Sequence, residues 1–230
     1  MAAAPAGAAS GAIAVPTGKA GELYIPALGQ TVQQVEWRED DFYDHVQADN
    51  APAAGAQYIF FRDLGQKNLQ SCNLRQQGKI PSNSEMVIAR IGVHLAQAYG
   101  NQLPTDADLI KLAHAALLTF QINDRLVAQG PLFKYQSGYG MTGSTTRTGT
   151  GVVTTGVPST AAAPQLLVAQ PISEKDDLVC NISILDNKWL NIAGTTGASQ
   201  MPVFSTQGAV ALQPVMGVFL HGLIKKPQGT

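Results

Sequence analysis

Apolar and polar residues alternate with a period of two through most of this chain. Residues 86–97, MVIARIGVHLAQ, place Val87, Ala89, Ile91, Val93 and Leu95 on one face and Arg90 and His94 on the other, the pattern of a half-buried strand. Residues 117–130 repeat it, with Leu118, Phe120 and Ile122 set against Thr119, Gln121 and Asn123. DDLVCNISILD, residues 176–186, turns Leu178, Cys180, Ile182 and Ile184 to one side. In VALQPVMGVFLHGLIKK, residues 210–226, Val215, Phe219 and Leu223 alternate around Gly217 and His221. QYIFFRDL (57–64) reads as a buried strand and PQLLVAQPI (164–172) as another. A short strand fits Leu23–Ile25, and a strand or helical turn fits Val35–Tyr43.

Two stretches between these runs, ADNAPAAGA (48–56) and GKIPSNSE (78–85), carry the Pro, Gly and Asn content of turns. PTDADLIKLAHAALL, residues 104–118, begins like a helix, with Thr105 as N-cap and acids in the first turn. Alternation resumes at residue 117, which confines that helix to 105–115. At least six strands, one or two short helices and no βαβ rhythm predict an all-β fold, an antiparallel sandwich or barrel.

Two segments stand outside the pattern. MTGSTTRTGTGVVTTGVPSTAAAP, residues 141–164, holds one charged side chain, Arg147, and no acid, thiol or imidazole. Its Thr and Val disfavour helix and its Gly residues weaken strand. It is expected to be a long inserted loop, external or between subunits, that leaves the β-domain and returns. MAAAPAGAASGAIAVP, residues 1–16, is small and apolar, with Pro5 and several Gly. It lacks the basic and Leu-rich regions of a secretory signal and is expected to form a flexible N-terminal arm ahead of a β-domain over 17–230. No other run approaches the ~20 apolar residues of a membrane helix.

Composition narrows the function. Only 13% of the 230 residues are charged and the net charge is −1, about half the usual charged share. No general field draws nucleic acid or an anionic membrane face, so no sequence-specific nucleic-acid binding is expected. Gln, Thr, Ala and Gly take the place of charge, which suits a protein in contact with copies of itself, because interface cores are depleted in charge.

Candidate chemistry is sparse. The histidines, His45, His94, His114 and His221, include no i, i+4 pair and so no HExxH-type zinc site. His94 and His221 fall on polar strand faces that a sheet can bring together; without partners they read as structural. Glu39, Asp40, Asp41 and Asp44 form one acidic cluster, and Glu174, Asp176 and Asp177 another. Paired carboxylates serve glycoside chemistry or calcium, but the EF-hand glycine is absent and acidic turns are the simpler reading. Cys72 and Cys180 lie far apart with no CxxC setting; two free buried thiols are expected, a single disulfide being the alternative. Lys67, Arg75 and Lys79 are interrupted by Gln and Asn, a poor basic patch. No nucleophile elbow, Walker loop or dinucleotide fingerprint appears. The expectation is a protein that is not an enzyme, with no catalytic residue, no cofactor and no metal.

FFRDLGQKNLQSCNLRQQGKIPSNSEMVIARIGVHL (60–95), an aromatic strand, a polar link ending in CNL, a Gly-Pro turn and a long alternating strand, is similar to the entry into a viral jelly roll. DDLVCNISILD and GVFLHGLIKKP are similar to the strands that close one. Over roughly residues 57–226 the chain resembles the jelly-roll major capsid proteins of tailless icosahedral bacteriophages, the vertical-barrel lineage that often has an internal membrane. That resemblance implies a jelly-roll barrel or sandwich, either one elaborated barrel or two small ones. It also implies a virion protein, made in the host cytoplasm, that self-assembles into trimers or other capsomers. These capsomers meet other virion proteins, contact an internal membrane and enclose the phage genome. The competing readings are a phage head-decoration or tail-associated protein, and a carbohydrate-binding β-sandwich with Trp37, Trp189 and Tyr139 as stacking residues.

Overall fold

Eight strands carry the fold in the computed structural model: β1 Trp37–Gln47, β2 Gln57–Phe60, β3 Glu85–Ala96, β4 Ala116–Ile122, β5 Arg125–Pro131, β6 Gln165–Ser173, β7 Leu178–Ile184 and β8 Val215–Lys225. The structure describes residues 13–17, 19–49, 52–65, 67–96, 112–135, 141–142, 154–155, 163–185, 206–207, 210–211 and 215–225. The strands form two four-stranded antiparallel sheets, ordered β6-β3-β8-β1 and β2-β7-β4-β5. The pairs β1–β8, β2–β7, β3–β6 and β4–β5 are those of one long antiparallel hairpin. The further pairs β3–β8 and β4–β7 are formed by rolling that hairpin up. This is the jelly-roll order, two Greek keys in two sheets. The expected all-β fold is therefore present as one sandwich, and among the described residues no pairing joins the two sheets into a closed barrel.

The core lies between the sheets. β4 and β7 alternate strictly, each burying every second residue. Leu118, Phe120 and Ile122 thus meet Leu178, Cys180, Ile182 and Ile184 as expected, joined by Tyr58 and Phe60 of β2. The first sheet contributes Phe42, Ile91, Val93, Leu95, Met216, Val218 and Leu220. Each such side chain stabilises the fold by roughly 1.5–3 kcal/mol through burial.

β3 and β8 depart from the predicted phase. The β3–β8 register shifts between His221 and Gly222, which face Arg90 and Ile88, so Ala89 is the extra residue of a bulge. A one-residue slip exchanges the faces of a strand. Met86 and Ile88 therefore join Ile91, Val93 and Leu95 in the core, while Val87 packs on the outside with Ile25 and Trp37. A Cβ on Gly222 would overlap the Val87 carbonyl, so the bulge requires glycine there. On β8 the core positions are Met216, Val218, Leu220 and Ile224; Val215, Phe219 and Leu223 lie on the opposite face.

Strand β2 ends at Phe60 because Phe61 has φ 63°, in the left-handed region. The chain is held there by Asp44, which points inward from β1 and is fully buried. Its carboxylate accepts a 2.6 Å bond from the Phe61 N–H and bonds of 2.7 and 2.9 Å from Lys67 Nζ. Beyond Lys67 the connection runs along the free edge of β1: Ser71 O accepts from His45 N, and Asn73 exchanges bonds with Tyr43 and Asp41.

The outer side of the first sheet also has a cover. Residues Val15–Pro16, Glu22–Ile25 and Gln30–Gln33 form a three-stranded ribbon. Ile13, Ala14, Leu28 and Val32 pack from it onto Trp37, Val87 and Leu223. The rest of the expected N-terminal arm, residues 1–12, lies outside the described residues. Of segment 141–164, Met141–Thr142 pairs with Thr154–Thr155 and 163–164 lead into β6; the remainder lies outside them. Of the helix expected over 105–115, residues 112–115 are helical and the rest, Thr105 included, lies outside them. No helix among the described residues is long and apolar enough to cross a membrane.

Strands alternate in direction, so connections 97–115, 132–164 and 185–214 leave one end of the sandwich together with 48–56. At the other end β4 turns into β5 through Asn123–Asp124, and β6 into β7 through residues 174–177.

Two substitutions test this account by urea unfolding. Gly222→Ala is expected to cost about 3 kcal/mol by overpacking the bulge. Lys67→Met, which leaves Asp44 charged and buried without its cation, is expected to cost about 3–5 kcal/mol. Leu167→Ala, at a side chain 98% exposed, should change stability by less than about 0.5 kcal/mol.

Candidate functional site

Among the described residues, a dense group of ionisable and aromatic side chains sits on the outer face of the first sheet, away from the ribbon. Odd-numbered residues of β1 and β8 point outward there: Asp41, Tyr43 and His45 lie opposite His221, Phe219 and Gly217. On the other side of β8, Arg90 and His94 of β3 lie opposite His221 and Gly217. Gly217 is what lets two imidazoles approach, since a Cβ there would come within 2.6 Å of the His45 ring. The His45 and His94 ring centroids are 6.2 Å apart, edge to face. Phe219 sits among the rings, 5.5 Å from His45, 6.4 Å from His94 and stacked on His221 at 6.0 Å.

The connection along the β1 edge fixes two of these side chains. His45 Nδ1 lies 2.9 Å from Ser71 O, so that nitrogen carries a proton and donates. The Tyr43 hydroxyl donates to Leu69 O. His221 Nδ1 stands 3.6 Å from Asp41 Oδ2. The two histidines expected to approach each other thus share a face with Phe219 between them, and the ring that meets His94 is His45. Alternation marks His45 as outward, but only strand pairing places it beside His94.

Burial governs the electrostatics. It lowers the pKa of His94, and the neighbouring His45 lowers it further. His221 is lowered by burial, which outweighs the attraction of Asp41. Asp41 is raised by burial against the opposing pull of His221. His94 and His221 therefore favour the neutral imidazole. The evident chemistry of the cluster is uptake of protons as pH falls.

The other candidates are engaged in holding the fold. Asp176 accepts from Ser173 N at 2.7 Å, Ser173 Oγ at 2.8 Å and Asn123 Nδ2 at 2.8 Å. Burial works against its charge, but the bonds from Asn123 and Ser173 outweigh it and hold the carboxyl below the usual range. Asp177 pairs with Arg62 at 2.5 Å, and Glu174 accepts from Asn83 N at 2.5 Å. The second acidic cluster is thus three separate turn braces. In the first, Asp40 pairs with Arg38, and Asp44 with Lys67.

Cys72 and Cys180 are free and buried. Burial, with the Asp44 charge, pushes the Cys72 thiol up to about 11 and moves Cys180 further in the same direction. Both are protonated at neutral pH and neither is a nucleophile. Trp37 is 6% exposed beneath the ribbon and presents no stacking face; Trp189 and Tyr139 lie outside the described residues. His114 packs on Phe133, with centroids 4.8 Å apart. Among the described residues no three His, Cys, Asp or Glu side chains converge to hold a metal ion. No protein-family model matches the chain, and no curated protein matches it in sequence.

The lowered His94 pKa gives a signed expectation. An unfolded imidazole takes up a proton near its usual 6.5, whereas the folded one resists until lower pH. The stability conferred by the neutral ring is complete above that value and declines as pH falls below it. Thermal melts between about pH 7 and 5 should show this decline, and His94→Gln should reduce it, the lowered His221 supplying the remainder.

Proposed function

We propose that this protein is a structural virion subunit, one of many copies that self-assemble into an icosahedral shell around a phage genome. The observation that carries the reading is the eight-stranded jelly-roll order in two sheets, with three long connections leaving one end and the 61–84 connection and two tight turns at the other. Jelly rolls of this order serve as capsid domains, though also as lectins and cupins, and fold alone does not assign function. Three further observations favour the shell. Asp44, Glu174, Asp176 and Asp177 brace turns and a strand connection. Trp37, the lectin candidate that is described, is buried. The chain is poor in charge, as surfaces that meet copies of themselves are. In this role the function lies in contacts between capsomers, and the long connections supply the outer features of the particle.

Electron microscopy and sedimentation of the purified full chain test the reading. Closed particles, or capsomers that close in the presence of nucleic acid, are expected. Replacing residues 144–160 with a short Gly/Ser link should leave the melting temperature within a few degrees, because closure entropy changes slowly with loop length, while particle yield falls at least roughly tenfold. A chain that stays monomeric under all conditions and binds a glycan would overturn it.

A further inference from the structure

The row His45–Gly217–His94 crosses the first sheet from β1 through β8 to β3, two imidazoles flanking a position without a side chain. Glycine inside a strand weakens it, and often marks a place where a ligand comes close to the backbone. A Cβ on Gly217 would lie 2.6 Å from both Nε2 and Cδ2 of His45, so that edge of the ring leans over the central strand. The other ring nitrogen, Nδ1, donates to Ser71 O at 2.9 Å on the far side of β1. That bond fixes the tautomer and leaves the Nε2 lone pair as the one the ring offers. His94 stands across Gly217, its ring centroid 6.2 Å away and its plane turned by 89°. Both rings are half-buried.

We propose that His45 and His94 form a two-imidazole site for a divalent late transition metal ion: zinc, nickel or copper. A metal bound to two imidazoles at about 2.0–2.1 Å holds their centroids about 5–6.5 Å apart, and this pair already stands at such a separation. Histidine χ2 is a soft torsion, and turning His94 about it aims a ring nitrogen at the space that His45 Nε2 faces. The Ser71 carbonyl plays the part of the outer partner of a metal-binding histidine, orienting the ring and raising its basicity. Neutral nitrogen donors suit these ions, whereas calcium and magnesium take oxygen ligands. The nearby oxygens serve elsewhere: the Tyr43 hydroxyl donates to Leu69 O, and Asp41 stands beside His221, further along the strands. Water therefore fills the remaining coordination positions, which makes the ion exchangeable and its binding weaker than in a closed four-ligand site. A bound ion ties β1 to β3 over β8 and stabilises the folded sheet by mass action. Protons compete for the same lone pairs, so affinity falls with pH. The site does not depend on the shell-subunit reading.

Titration calorimetry of the chelator-treated full chain with zinc, nickel and copper chlorides near neutral pH tests it. One ion per chain is expected, bound with micromolar affinity and most tightly for copper. His45→Gln and His94→Gln should each weaken zinc binding at least roughly tenfold, because a single imidazole loses the chelate. Gly217→Ala, which sets a methyl group where the His45 ring lies, should do the same, while His114→Gln should bind as the parent does. Circular dichroism in the presence of chelator checks that each variant folds. Electron paramagnetic resonance of the copper-loaded parent needs no variant, and should show splitting from two nitrogens. A copper signal from one nitrogen or none overturns the proposal. So does zinc binding that is as tight in the folded double variant as in the parent. None of these readouts involves particles, so their failure leaves the shell reading where it stands.

Discussion

A buried carboxylate organises this sandwich. Asp44 leaves water completely, and an unpaired charge in that position would cost several kcal/mol. Three donor contacts from one short stretch of chain offset it: the Phe61 N–H and two from Lys67. Satisfying Asp44 therefore does more than neutralise it. It stops β2 at Phe60, stabilises the left-handed Phe61, and sends the connection back along β1. There Ser71 and Asn73 pair with an edge that would otherwise be open to strand addition.

That connection also supports the ring cluster, because Leu69 and Ser71 supply the carbonyls that orient Tyr43 and His45. The inward side of β1 and its outward side are thus coupled through one segment. Asp44 anchors the connection from within, and the rings hold it from outside. Gly217 and Gly222 on β8 complete the arrangement, the first by admitting the imidazoles and the second by admitting the bulge backbone.

Strands whose two faces differ plainly are legible in the amino-acid pattern alone. β4 and β7 face the core on one side and carry partly exposed, mostly polar residues on the other, so their alternation is clean and their inward residues are predictable. β3 and β8 are central strands with apolar residues on both faces, and there the pattern loses its phase. The cue for the β3 bulge is Gly222, on another strand and more than a hundred residues away. REDDFYDHVQ hides its inward charge for a related reason: Asp44 is one acid among four until Phe61 and Lys67 are brought beside it. The ring cluster depends on pairing across three strands, which no local period encodes.

Strand order has a consequence for biosynthesis. β8 lies between β3 and β1 in the first sheet, yet it is the last of the eight to be made. Until residue 225 leaves the ribosome, β1 and β3 cannot meet the strand that separates them, and each presents an unpaired edge. The second sheet has no such dependence, because β2, β7, β4 and β5 are all available by residue 184. Nascent chains therefore pass through a stage with one sheet ready and the other split, the state in which exposed strand edges invite misassembly. Contacts so distant in sequence also make folding slow. A cell making many copies at once would meet this half-built species at high concentration, where chaperone access during the last stretch of translation would govern yield.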